Sequence, residues 1–559
     1  MSIRVKIKNA RVQISILMPT ISLSKWSDAE GRTREIPTDV AALMQVLAQI
    51  RAVENWSNNA YLGVVNAHAR KTGRLFSKTE LMDGYRKLTA QGLIEPDREL
   101  ARRLQRKPVR THSGVAPVTV LTKPYDCPGD CLFCPTFVRL PKSYLPDEPG
   151  AMRALQNDFD PWRQVTSRLR SFEATGHSAN KVELLILGGT WSAYPKKYRE
   201  WFVQRCLDAM NGTDSETLAQ AQRRNEDARY RNVGLVIETR PDAISAREIM
   251  HLRKLGVTKV QMGVQSMDDR ILALNKRGHT VEDTRRAFRM LRAAGFKLVG
   301  HWMANLYGAT PESDYEDFQR LFDDPAIRPD ELKIYPTSLL KEAELYEYYQ
   351  RGLYRPYDEQ TLIDLIARCK LHVPRYARIN RIFRDIPSPN IVEGNKKTNL
   401  RQLVQRYMAQ HELGACQCLR CREVRRQKVS AGDLRLDVLP YDAADSREFF
   451  ISFVTADDKV AGFLRLSLPQ NPAVVPIDEI KEAAMIREVH VYGPALGLGK
   501  DSRGEAQHRG LGGRLIARAE AIARAEGYRR LAVIAAIGTR NYYRRLGFEM
   551  TEYYMKKDL

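Results

Sequence analysis

The segment KPYDCPGDCLFCP, residues 123–135, carries three cysteines in the spacing C-x3-C-x2-C: Cys127, Cys131 and Cys134. Three thiolates this close together suit a soft metal or an iron–sulfur cluster. A fourth cysteine would complete the ligand set of a four-iron cluster, whereas three leave one iron free to hold another ligand. A zinc knuckle whose fourth ligand lies elsewhere is the alternative interpretation.

The sequence around this segment, residues 111–390, alternates β-branched runs with longer amphipathic runs. Alternation of this kind indicates a parallel sheet or barrel, in which sites form at the carboxyl ends of the strands. The predicted strands lie at residues 115–122, 182–189, 233–239, 259–265 and 297–306.

Glycines or polar residues end three of these predicted strands. Gly188 and Gly189 end one, where the absence of side chains would let a ligand approach the backbone. Polar residues at 238–240 and 265–266 end two others. Each of these groups has an ordinary strand-to-loop turn as its alternative interpretation.

Three motifs follow one another near the C-terminus: REVHVYG at 487–493, QHRGLGG at 507–513 and NYYRRLGF at 541–548. The middle motif has the form Q-x-x-G-x-G and precedes a long helical pattern. Backbone N–H groups at the start of a helix bind anions, and glycines there let a pyrophosphate come close. Dinucleotide-binding folds use related loops, but the strand before this loop and the aromatic pair after it make the combination specific.

A second cysteine triplet, Cys416, Cys418 and Cys421, lies in a basic stretch that breaks the alternating pattern. Residues 395–428 contain nine Lys and Arg against two Glu. The spacing C-x-C-x2-C predicts a zinc site, for which three thiolates need a fourth ligand. His411 is close in sequence, but a lone histidine is more often a surface residue, so the fourth ligand stays open.

The charge of the whole chain indicates a polyanionic partner. Its 89 Lys and Arg against 67 Asp and Glu give a net charge of +22, and residues 1–110 alone carry 20 basic and 10 acidic side chains. Nucleic acid is the first candidate, and a merely solvated basic surface is the alternative.

Two other classes of protein do not fit the composition. The chain has no apolar run of about 18 residues, so we expect no membrane span. Six of its eight cysteines form the two tight triplets, which favours reduced metal ligands over a disulfide framework. We find no signal peptide, and together these features predict the cytoplasm as the location of the protein.

The motifs also resemble known families. The cysteine spacing among alternating strands and helices resembles the radical S-adenosylmethionine superfamily, and the C-terminal motifs resemble the GCN5-related acetyltransferases (GNAT). In one chain, with LILGGT at 185–190 and IETRPD at 237–242 between them, they resemble the family of the catalytic subunit of Elongator. The resemblance covers roughly residues 80–559, and the short first gap of the cysteine motif indicates a prokaryotic member.

This resemblance implies an α/β fold with several domains. A partial (β/α)6 radical S-adenosylmethionine barrel would be fused to an α+β GNAT domain. The pattern of residues 1–110, apart from any resemblance, predicts a basic helical region in front of them. We predict a tRNA-binding N-terminal region, the barrel, a basic zinc-binding linker and the GNAT domain at residues 1–110, 111–390, 391–435 and 436–559.

The resemblance also implies cofactors and the residues that bind them. Cys127, Cys131 and Cys134 would hold a [4Fe-4S] cluster that binds S-adenosylmethionine, and acetyl-CoA would be the co-substrate. The residues expected to contact S-adenosylmethionine or acetyl-CoA are Lys181, Gly188, Gly189, Glu488, Val489, His490, Val491, Gly510, Leu511, Gly512 and Gly513. Tyr543, beside Tyr542, would lie near the thioester sulfur, where a phenol of ordinary pKa, about 10, could protonate the leaving thiolate.

The implied reaction modifies the wobble uridine, U34, of tRNA. A deoxyadenosyl radical would take a hydrogen atom from the methyl group of acetyl-CoA, the carbon radical would add to C5 of uridine, and thioester hydrolysis would leave carboxymethyluridine. This scheme requires an electron donor for the cluster and leaves the need for accessory subunits open. It also leads us to expect that the mouth of the barrel faces the GNAT domain across the linker.

Two other functions compete with this one. The first is a protein lysine acetyltransferase whose iron–sulfur cluster is structural. The second is a tRNA-binding scaffold with vestigial sites, which the complete cysteine triplet and glycine loop disfavour. The basic charge favours RNA over a cationic histone tail as substrate.

Overall fold

The computed structural model describes residues 3–7, 10–14, 26–27, 33–34, 38–105, 114–425, 427, 429–492 and 510–559. The chain forms two compact units: Met1–Pro108 with Ala174–His177, and Val109–Glu173 with Ser178–Leu559. Among the described residues, no helix is both long and apolar enough to cross a membrane. The domain boundaries given above remain predictions.

The first unit combines short strands with four helices. The strands are β1 (Ile3–Ile7), β2 (Ala10–Ile14), β3 (Trp26–Ser27) and β4 (Thr33–Arg34), and the helices are α1 (Thr38–Arg51), α2 (Asn58–Thr72), α3 (Lys78–Ala90) and α4 (Arg98–Leu104). A capping box opens α3: Glu80 N–H donates to Ser77 Oγ at 3.2 Å, and Ser77 N–H donates to Glu80 at 2.8 Å.

The helical prediction is wrong for the first residues of this unit. β1 and β2 pair as antiparallel strands, with Ile3 opposite Ile14 and Ile7 opposite Ala10. The physical reason is visible in the sequence, because IRVKI alternates apolar and basic residues with the two-residue period of a strand. Helical structure begins at Thr38.

A parallel sheet dominates the second unit, and we call it and its helices the barrel. Its strands are β5 (Ala116–Leu121), β6 (Lys181–Leu187), β7 (Arg231–Thr239), β8 (Lys259–Gln265), β9 (Lys297–Trp302), β10 (Glu331–Ile334) and, after the short β11 (Leu339–Leu340), β12 (Arg378–Arg381). The accompanying helices are α5 (Pro149–Gln156), α6 (Pro161–Ala174), α7 (Lys196–Asn211), α8 (Leu218–Asn225), α9 (Ala246–Leu255), α10 (Asp269–Leu274), α11 (Val281–Ala293), α12 (Pro311–Asp323), α13 (Leu345–Gln350) and α14 (Glu359–His372).

The strands of the barrel are all parallel and lie in the order β12-β10-β9-β8-β7-β6-β5. The six strands from β5 to β10 therefore follow one another in space as in sequence, and β12 adds a seventh. This arrangement confirms the predicted curled parallel half-barrel.

Three further elements lead out of the barrel: β13 (Ile391–Glu393), α15 (Leu400–Gln410) and α16 (Leu419–Arg422). They are followed by what we call the C-terminal domain, residues 435–559. Its elements are β14 (Arg435–Ala443), β15 (Ser446–Val454), β16 (Val460–Pro469), β17 (Ala484–Val491), α17 (Leu511–Ala525), β18 (Arg530–Val533), α18 (Arg540–Arg544), β19 (Glu549–Met550) and β20 (Met555–Asp558). Its seven-stranded sheet has the order β14-β15-β16-β17-β18-β20-β19.

The C-terminal domain packs against the amino ends of the barrel strands. Arg487 of β17 donates to the carbonyl of Phe296, directly before β9, at 2.8 Å. The Tyr554 hydroxyl donates to the carbonyl of Ala294 at 2.7 Å, and a Cβ on Gly295 would lie 2.9 Å from Met485.

The expected orientation of the two domains is therefore wrong. The predicted cluster cysteines follow β5 at the carboxyl end of the barrel, whereas the C-terminal domain closes the amino end. Sequence order alone does not say which end of a barrel a following domain covers, and here the buried contacts decide it.

Asp330, which directly precedes β10, is the centre of this interface. Its carboxylate accepts from Arg487 at 2.6 and 2.8 Å and from the backbone N–H of Leu298 at 2.9 Å. Arg465 of β16 also lies within 3.5 Å. Burial by itself would raise the pKa of Asp330, but Arg487, Arg465 and Arg292 outweigh it and lower the pKa.

Replacing Asp330 by Asn should therefore destabilise the chain strongly. Removing one partner from a buried ion pair leaves an uncompensated charge and costs about 3–5 kcal/mol. We expect a loss of this size in the free energy of unfolding, measured with urea at neutral pH. Because the pKa of Asp330 is lowered, the stabilisation is present at neutral pH and is lost only in strong acid.

Asp478→Asn provides the control for this variant. Its carboxylate pairs with Lys481 but is 92% exposed, so its loss should change stability little. If both substitutions lowered the free energy of unfolding by the same amount, Asp330 would not be what stabilises the interface.

Candidate functional site

The first cysteine triplet lies in a braced loop directly after β5. Cys134 N–H donates to the carbonyl of Cys131 at 3.1 Å, which makes the second half of the loop a tight turn. The Lys142 ammonium donates to the carbonyl of Gly129 at 2.9 Å and to Asp130 at 2.8 Å. Leu132 N–H donates to the carbonyl of Asn275, which ties the loop to the end of α10.

Two buried arginines give this loop its charge. Arg277 donates to Cys131 Sγ at 3.4 Å and to the carbonyl of Gly263 at 2.8 Å. Arg240 is held by Asp242 at 2.9 Å, and its Nη1 would lie 2.0 Å from a Cβ on Gly129. The glycine therefore allows the loop to lie directly on Arg240.

These surroundings favour the thiolate form of Cys131. A hydrogen bond from Cys134, together with the charges of Arg277 and Arg240, lowers the pKa of Cys131 to about 5, although burial opposes the shift. Thiolates rather than thiols bind metals, so the loop suits a metal cluster.

The spacing of the sulfurs separates the two triplets. Among the described residues, Cys416, Cys418 and Cys421 form the group whose ligand atoms all lie within 4.8 Å of one another. Tetrahedral zinc with bonds of about 2.3 Å requires sulfurs about 3.8 Å apart. Cys127, Cys131 and Cys134 do not form such a group among the described residues, and a four-iron cluster, in which each thiolate binds a different iron, does not require one.

Gly188 and Gly189, after β6, lie next to the cysteine loop. Gly188 has φ +134°, and a Cβ there would lie 2.0 Å from Thr122 Oγ1. Its carbonyl accepts from the Tyr194 hydroxyl at 3.0 Å. Gly189 has φ +79°, and a Cβ there would meet only the carbonyl oxygen of Lys142, at 4.0 Å, so its backbone remains approachable.

Sequence reasoning missed Arg277 and the strain at Gln265. Arg277 follows α10 in a segment without any motif, and only the fold brings it to Cys131. Gln265, at the carboxyl end of β8, has φ +69°, which a non-glycine residue adopts only under constraint. The sequence indicated Gln265 as a site residue only by showing that it is one of several polar residues at the ends of predicted strands.

The C-terminal domain contains a gap in its sheet. β17 pairs with β18 through Ala484, Met485 and Ile486 alone, whereas its pairing with β16 continues to Val491. Beyond Ile486, no strand within the described part of the chain pairs with this second backbone edge of β17. Such an edge can hydrogen-bond an extended ligand that carries amide groups.

The four predicted residues 488–491 lie along this open edge with their side chains engaged elsewhere. Glu488 accepts from Arg465 at 3.0 Å and from Lys297 of the barrel, while His490 stacks on Phe463. Val489 and Val491 pack into the core of the C-terminal domain. Contact with acetyl-CoA would therefore be made by the backbone of this strand.

The glycine loop opens α17. Gly510 has φ +89°, its carbonyl accepts from Arg514 N–H at 2.8 Å, and Leu511 is the first residue of the helix. Side-chain space is open at Gly510 and Gly513. Gln507, His508 and Arg509, the first part of the motif, lie outside the described residues.

The two tyrosines of α18 differ in environment. A Cβ on Gly512 would lie 2.8 Å from the Tyr542 hydroxyl, so Tyr542 reaches over the glycine loop. Tyr543 is buried against Phe548, with ring centroids 5.7 Å apart. Burial, and then Tyr542, raises the pKa of Tyr543, so the assumption of an unshifted phenol was wrong.

Lys181 lies far from the glycine pair that the prediction grouped with it. It begins β6, whereas Gly188 follows the end of that strand, about 20 Å away at 3.3 Å per residue. Its register partner on β7 is Arg231, whose Cβ would lie 2.5 Å from a Cβ on Gly538. Lys181 therefore lies at the end of the barrel that the C-terminal domain covers.

The second triplet joins the barrel to the C-terminal domain. Leu419 N–H donates to the carbonyl of Ala377 before β12, and Arg422 binds Asp458 in the β15–β16 turn at 2.7 Å. Lys370 lies 3.9 Å from Cys421 Sγ. His411 rests on the ring of Tyr407, with centroids 4.2 Å apart, and does not belong to the sulfur group among the described residues.

The basic segment around this triplet is only partly free to bind phosphate. Lys396 and Lys397 are exposed, and Lys397 lies 3.6 Å from Glu359 at the start of α14. Arg401 instead donates to the carbonyl of Ile379 at 3.0 Å, and burial lowers its pKa to about 10. The guanidinium of Arg401 is therefore engaged within the protein, whereas the ammonium groups of the two lysines are exposed.

Comparison with known protein families matches both parts of the second unit. Residues 122–324 match the Radical SAM superfamily, residues 329–410 match the Radical_SAM C-terminal domain, and residues 420–548 match the Acetyltransferase (GNAT) family. A radical SAM domain implies a [4Fe-4S] cluster and S-adenosylmethionine, and a GNAT domain implies acetyl-CoA.

Similar whole proteins combine the same domains. The tRNA uridine(34) acetyltransferase of Methanocaldococcus jannaschii is 43% identical over 74% of this chain and 79% of its own length. Elongator complex protein 3 of Schizosaccharomyces pombe is 35% identical over 86% of this chain and 90% of its own length. The crystallised Methanocaldococcus infernus Elp3 has a TM-score of 0.71 at 38% identity, covering 80% of this chain and 99% of that one. This chain belongs to the family of Elongator complex protein 3 and the tRNA uridine(34) acetyltransferases, enzymes with radical SAM and GNAT domains.

Proposed function

We propose that this enzyme converts the wobble uridine, U34, of tRNA to 5-carboxymethyluridine. The carbon atoms would come from acetyl-CoA, and the reaction would use S-adenosylmethionine and a [4Fe-4S] cluster reduced by an external electron donor. C5 of uridine is too weak a nucleophile for ordinary acyl transfer, which explains why one chain carries both domains. When bound, the cluster and S-adenosylmethionine would supply a radical that removes a hydrogen atom from the acetyl methyl group.

The observation that carries this proposal is the placement of both candidate sites on one barrel. The cysteine loop lies at its carboxyl end, and the open edge of β17 lies against its amino end. Lys297 begins β9 and binds both Glu331 of β10, at 2.8 Å, and Glu488 of β17. The interior of the barrel is thus the direct route between the two sites.

Polar side chains continue along this route from strand to strand. Lys259 binds Glu183 at 2.6 Å, and Gln261 accepts from Lys333 and lies 3.1 Å from His301. The pKa of His301 is lowered by burial and by the charge of Lys333, so its ring is neutral at physiological pH. Barrel interiors are usually filled by branched apolar residues, so this polar lining supports passage of an acyl group.

The same geometry disfavours the protein lysine acetyltransferase. A peptide lysine would have to reach the open edge of β17 from solvent. Glu488, however, is bound to Lys297 of the barrel and its side chain is only 11% exposed, and burial lowers the pKa of His490 to about 4. With its pKa this far below physiological pH, His490 would be a weak base toward an attacking lysine.

We further propose that Cys416, Cys418 and Cys421 bind one structural zinc ion. Hydrogen bonds from Cys416 and Cys418, with Lys370 nearby, lower the pKa of Cys421. Three thiolates on and beside the four-residue helix α16 would brace the contacts of Arg422 and Leu419 with both domains. The basic N-terminal region and exposed lysines of the barrel would bind tRNA in the cytoplasm.

The test of the proposed function is the chemistry of the product. Purified enzyme, tRNA, acetyl-CoA, S-adenosylmethionine and a reductant, incubated without oxygen, should yield carboxymethyluridine by nucleoside mass spectrometry. Changing Cys127, Cys131 and Cys134 together to Ser should abolish both the visible absorbance of the cluster and the product, while acetyl-CoA binding remains.

Cys206→Ser is the matched control, because that thiol is buried in the barrel core away from both triplets. It should keep the cluster and the product. Formation of carboxymethyluridine by the triple variant would exclude the radical mechanism, and acetyl-lysine on peptides without any uridine product would favour the competing function.

Removing the Tyr543 hydroxyl should slow thioester cleavage. Tyr543→Phe preserves the packing against Phe548, so CoA binding should change little while tRNA-stimulated acetate release falls roughly 100-fold, as for loss of a general acid. Because the pKa of Tyr543 is raised, its phenol stays protonated between about pH 6 and 9, and its contribution should not titrate there.

Tyr542→Phe serves as comparison, since its hydroxyl reaches over the glycine loop. That variant should weaken CoA binding more than it slows release. Identical acetate release by wild type and Tyr543→Phe, with and without tRNA, would mean that the Tyr543 proton plays no part.

A further inference from the structure

Three aromatic rings form a column beside the cysteine loop. Tyr125, two residues before Cys127, stacks on Tyr194 with ring centroids 4.8 Å apart and an interplanar angle of 30°. Tyr194 in turn stacks on Tyr198 at 5.3 Å and 22°. Tyr194 is buried, whereas Tyr125 at the end of the column is 43% exposed.

Hydrogen bonds hold this column rigidly at the carboxyl end of the barrel. The Tyr194 hydroxyl accepts from Thr122 at 2.8 Å and donates toward the carbonyls of Lys123, at 2.8 Å, and Gly188, at 3.0 Å. The Tyr198 hydroxyl accepts from Lys123 N–H at 3.1 Å. These bonds fix Tyr194 and Tyr198, and Tyr125 stacks on the fixed ring of Tyr194. A ring ordered by such stacking loses little conformational entropy when a ligand stacks on its other face.

Basic side chains surround the column. The Lys123 ammonium lies 5.1 Å from the centre of the Tyr198 ring, and Lys196 and Lys197 are exposed at the start of α7. Asp126 and Asp130 are the exposed acidic residues of the loop, and Asp130 is paired with Lys142 at 2.8 Å. An exposed ring flanked by more positive than negative charges fits a nucleic acid better than an apolar protein surface.

We propose that Tyr125 is a stacking platform for one unpaired RNA base, a neighbour of the target uridine in the anticodon loop. Proteins that read RNA loops turn bases out and stack them on aromatic rings, and any base can stack because each has a π face. Lys123, Lys196 and Lys197 bind the adjoining phosphates. This inference rests on the proposed function and adds the residue that places the loop at the cysteine end of the barrel.

The test compares tRNA binding by Tyr125→Ala, Tyr125→Phe and Tyr125→Trp with that of wild type. Loss of one stacked base should weaken binding about tenfold in the Ala variant, whereas Phe and Trp should preserve affinity. The slope of log affinity against log salt should stay unchanged in Tyr125→Ala, because the ring neutralises no phosphate. The double variant Lys196→Gln/Lys197→Gln should instead lower that slope.

A second readout detects stacking directly. A fluorescent base analogue, 2-aminopurine, placed next to the target uridine should be quenched on binding to wild type, Phe and Trp variants and remain bright with Tyr125→Ala. The iron–sulfur cluster is also reconstituted in Tyr125→Ala. If its absorbance equals that of wild type, the cysteine loop of the variant is intact.

Trp201→Ala is the matched control, since this ring is 44% exposed but lies beyond Tyr198, 5.6 Å away. It should leave affinity and quenching unchanged. If Tyr125→Ala bound tRNA and quenched the analogue as wild type does, Tyr125 would not be a stacking platform. The same conclusion would follow if Trp201→Ala lost as much affinity and quenching as Tyr125→Ala. The wild-type protein is assayed for tRNA binding and modification in the same experiment. If it does both while Tyr125→Ala is unaltered, the stacking proposal fails and the proposed function stands.

Discussion

The buried pairing of Asp330 with Arg487 determines how this enzyme is built. Asp330 precedes β10, the second strand from one edge of the barrel sheet, and Arg487 lies where β17 loses its neighbour β18. Isolated burial of either charge would cost several kcal/mol, so the two domains are stable only in the arrangement that pairs them. The same contact brings the open edge of β17 against the amino ends of the barrel strands.

This arrangement places the two proposed sites at opposite ends of one barrel. The length of β6, about 20 Å, separates the level of Lys181 from that of Gly188. A reaction that joins the two ends must use the interior, and there the strands present Lys259, Gln261 and His301 instead of the usual apolar filling. The C-terminal domain thus covers the amino end of the barrel, and the cysteine loop lies at its carboxyl end.

The elements, the parallel barrel and the C-terminal domain were predictable from the sequence, but the end of the barrel that this domain covers was not. Strands β5 to β9 and the β15–β16 hairpin follow from local periodicity, and the cysteine and glycine motifs lie where the fold needs them. Arg277 could not be predicted, because 146 residues separate it from Cys131 and only the sheet order brings them together. The hairpin of β1 and β2 was predictable, since its two-residue alternation is present in the sequence.

Properties set by burial also escaped prediction. A phenol in a sequence carries no sign of the raised pKa that Tyr543 acquires in its core, and an arginine in a basic stretch gives no sign that its guanidinium is buried, as that of Arg401 is. The end of the barrel that the C-terminal domain covers depends on Asp330 and Arg487, two charges far apart in sequence whose pairing no local pattern announces.

The most direct test of this account is a transfer of isotope between the two ends of the barrel. Acetyl-CoA deuterated in its methyl group is incubated without oxygen with enzyme, tRNA, S-adenosylmethionine and reductant. The deuterium content of the 5′-deoxyadenosine formed is then measured by mass spectrometry. If the acetyl methyl group reaches the radical through the barrel, this 5′-deoxyadenosine contains deuterium and its formation depends on tRNA. Unlabelled 5′-deoxyadenosine, formed while acetate is still released, would contradict the shared site and leave two domains that work independently.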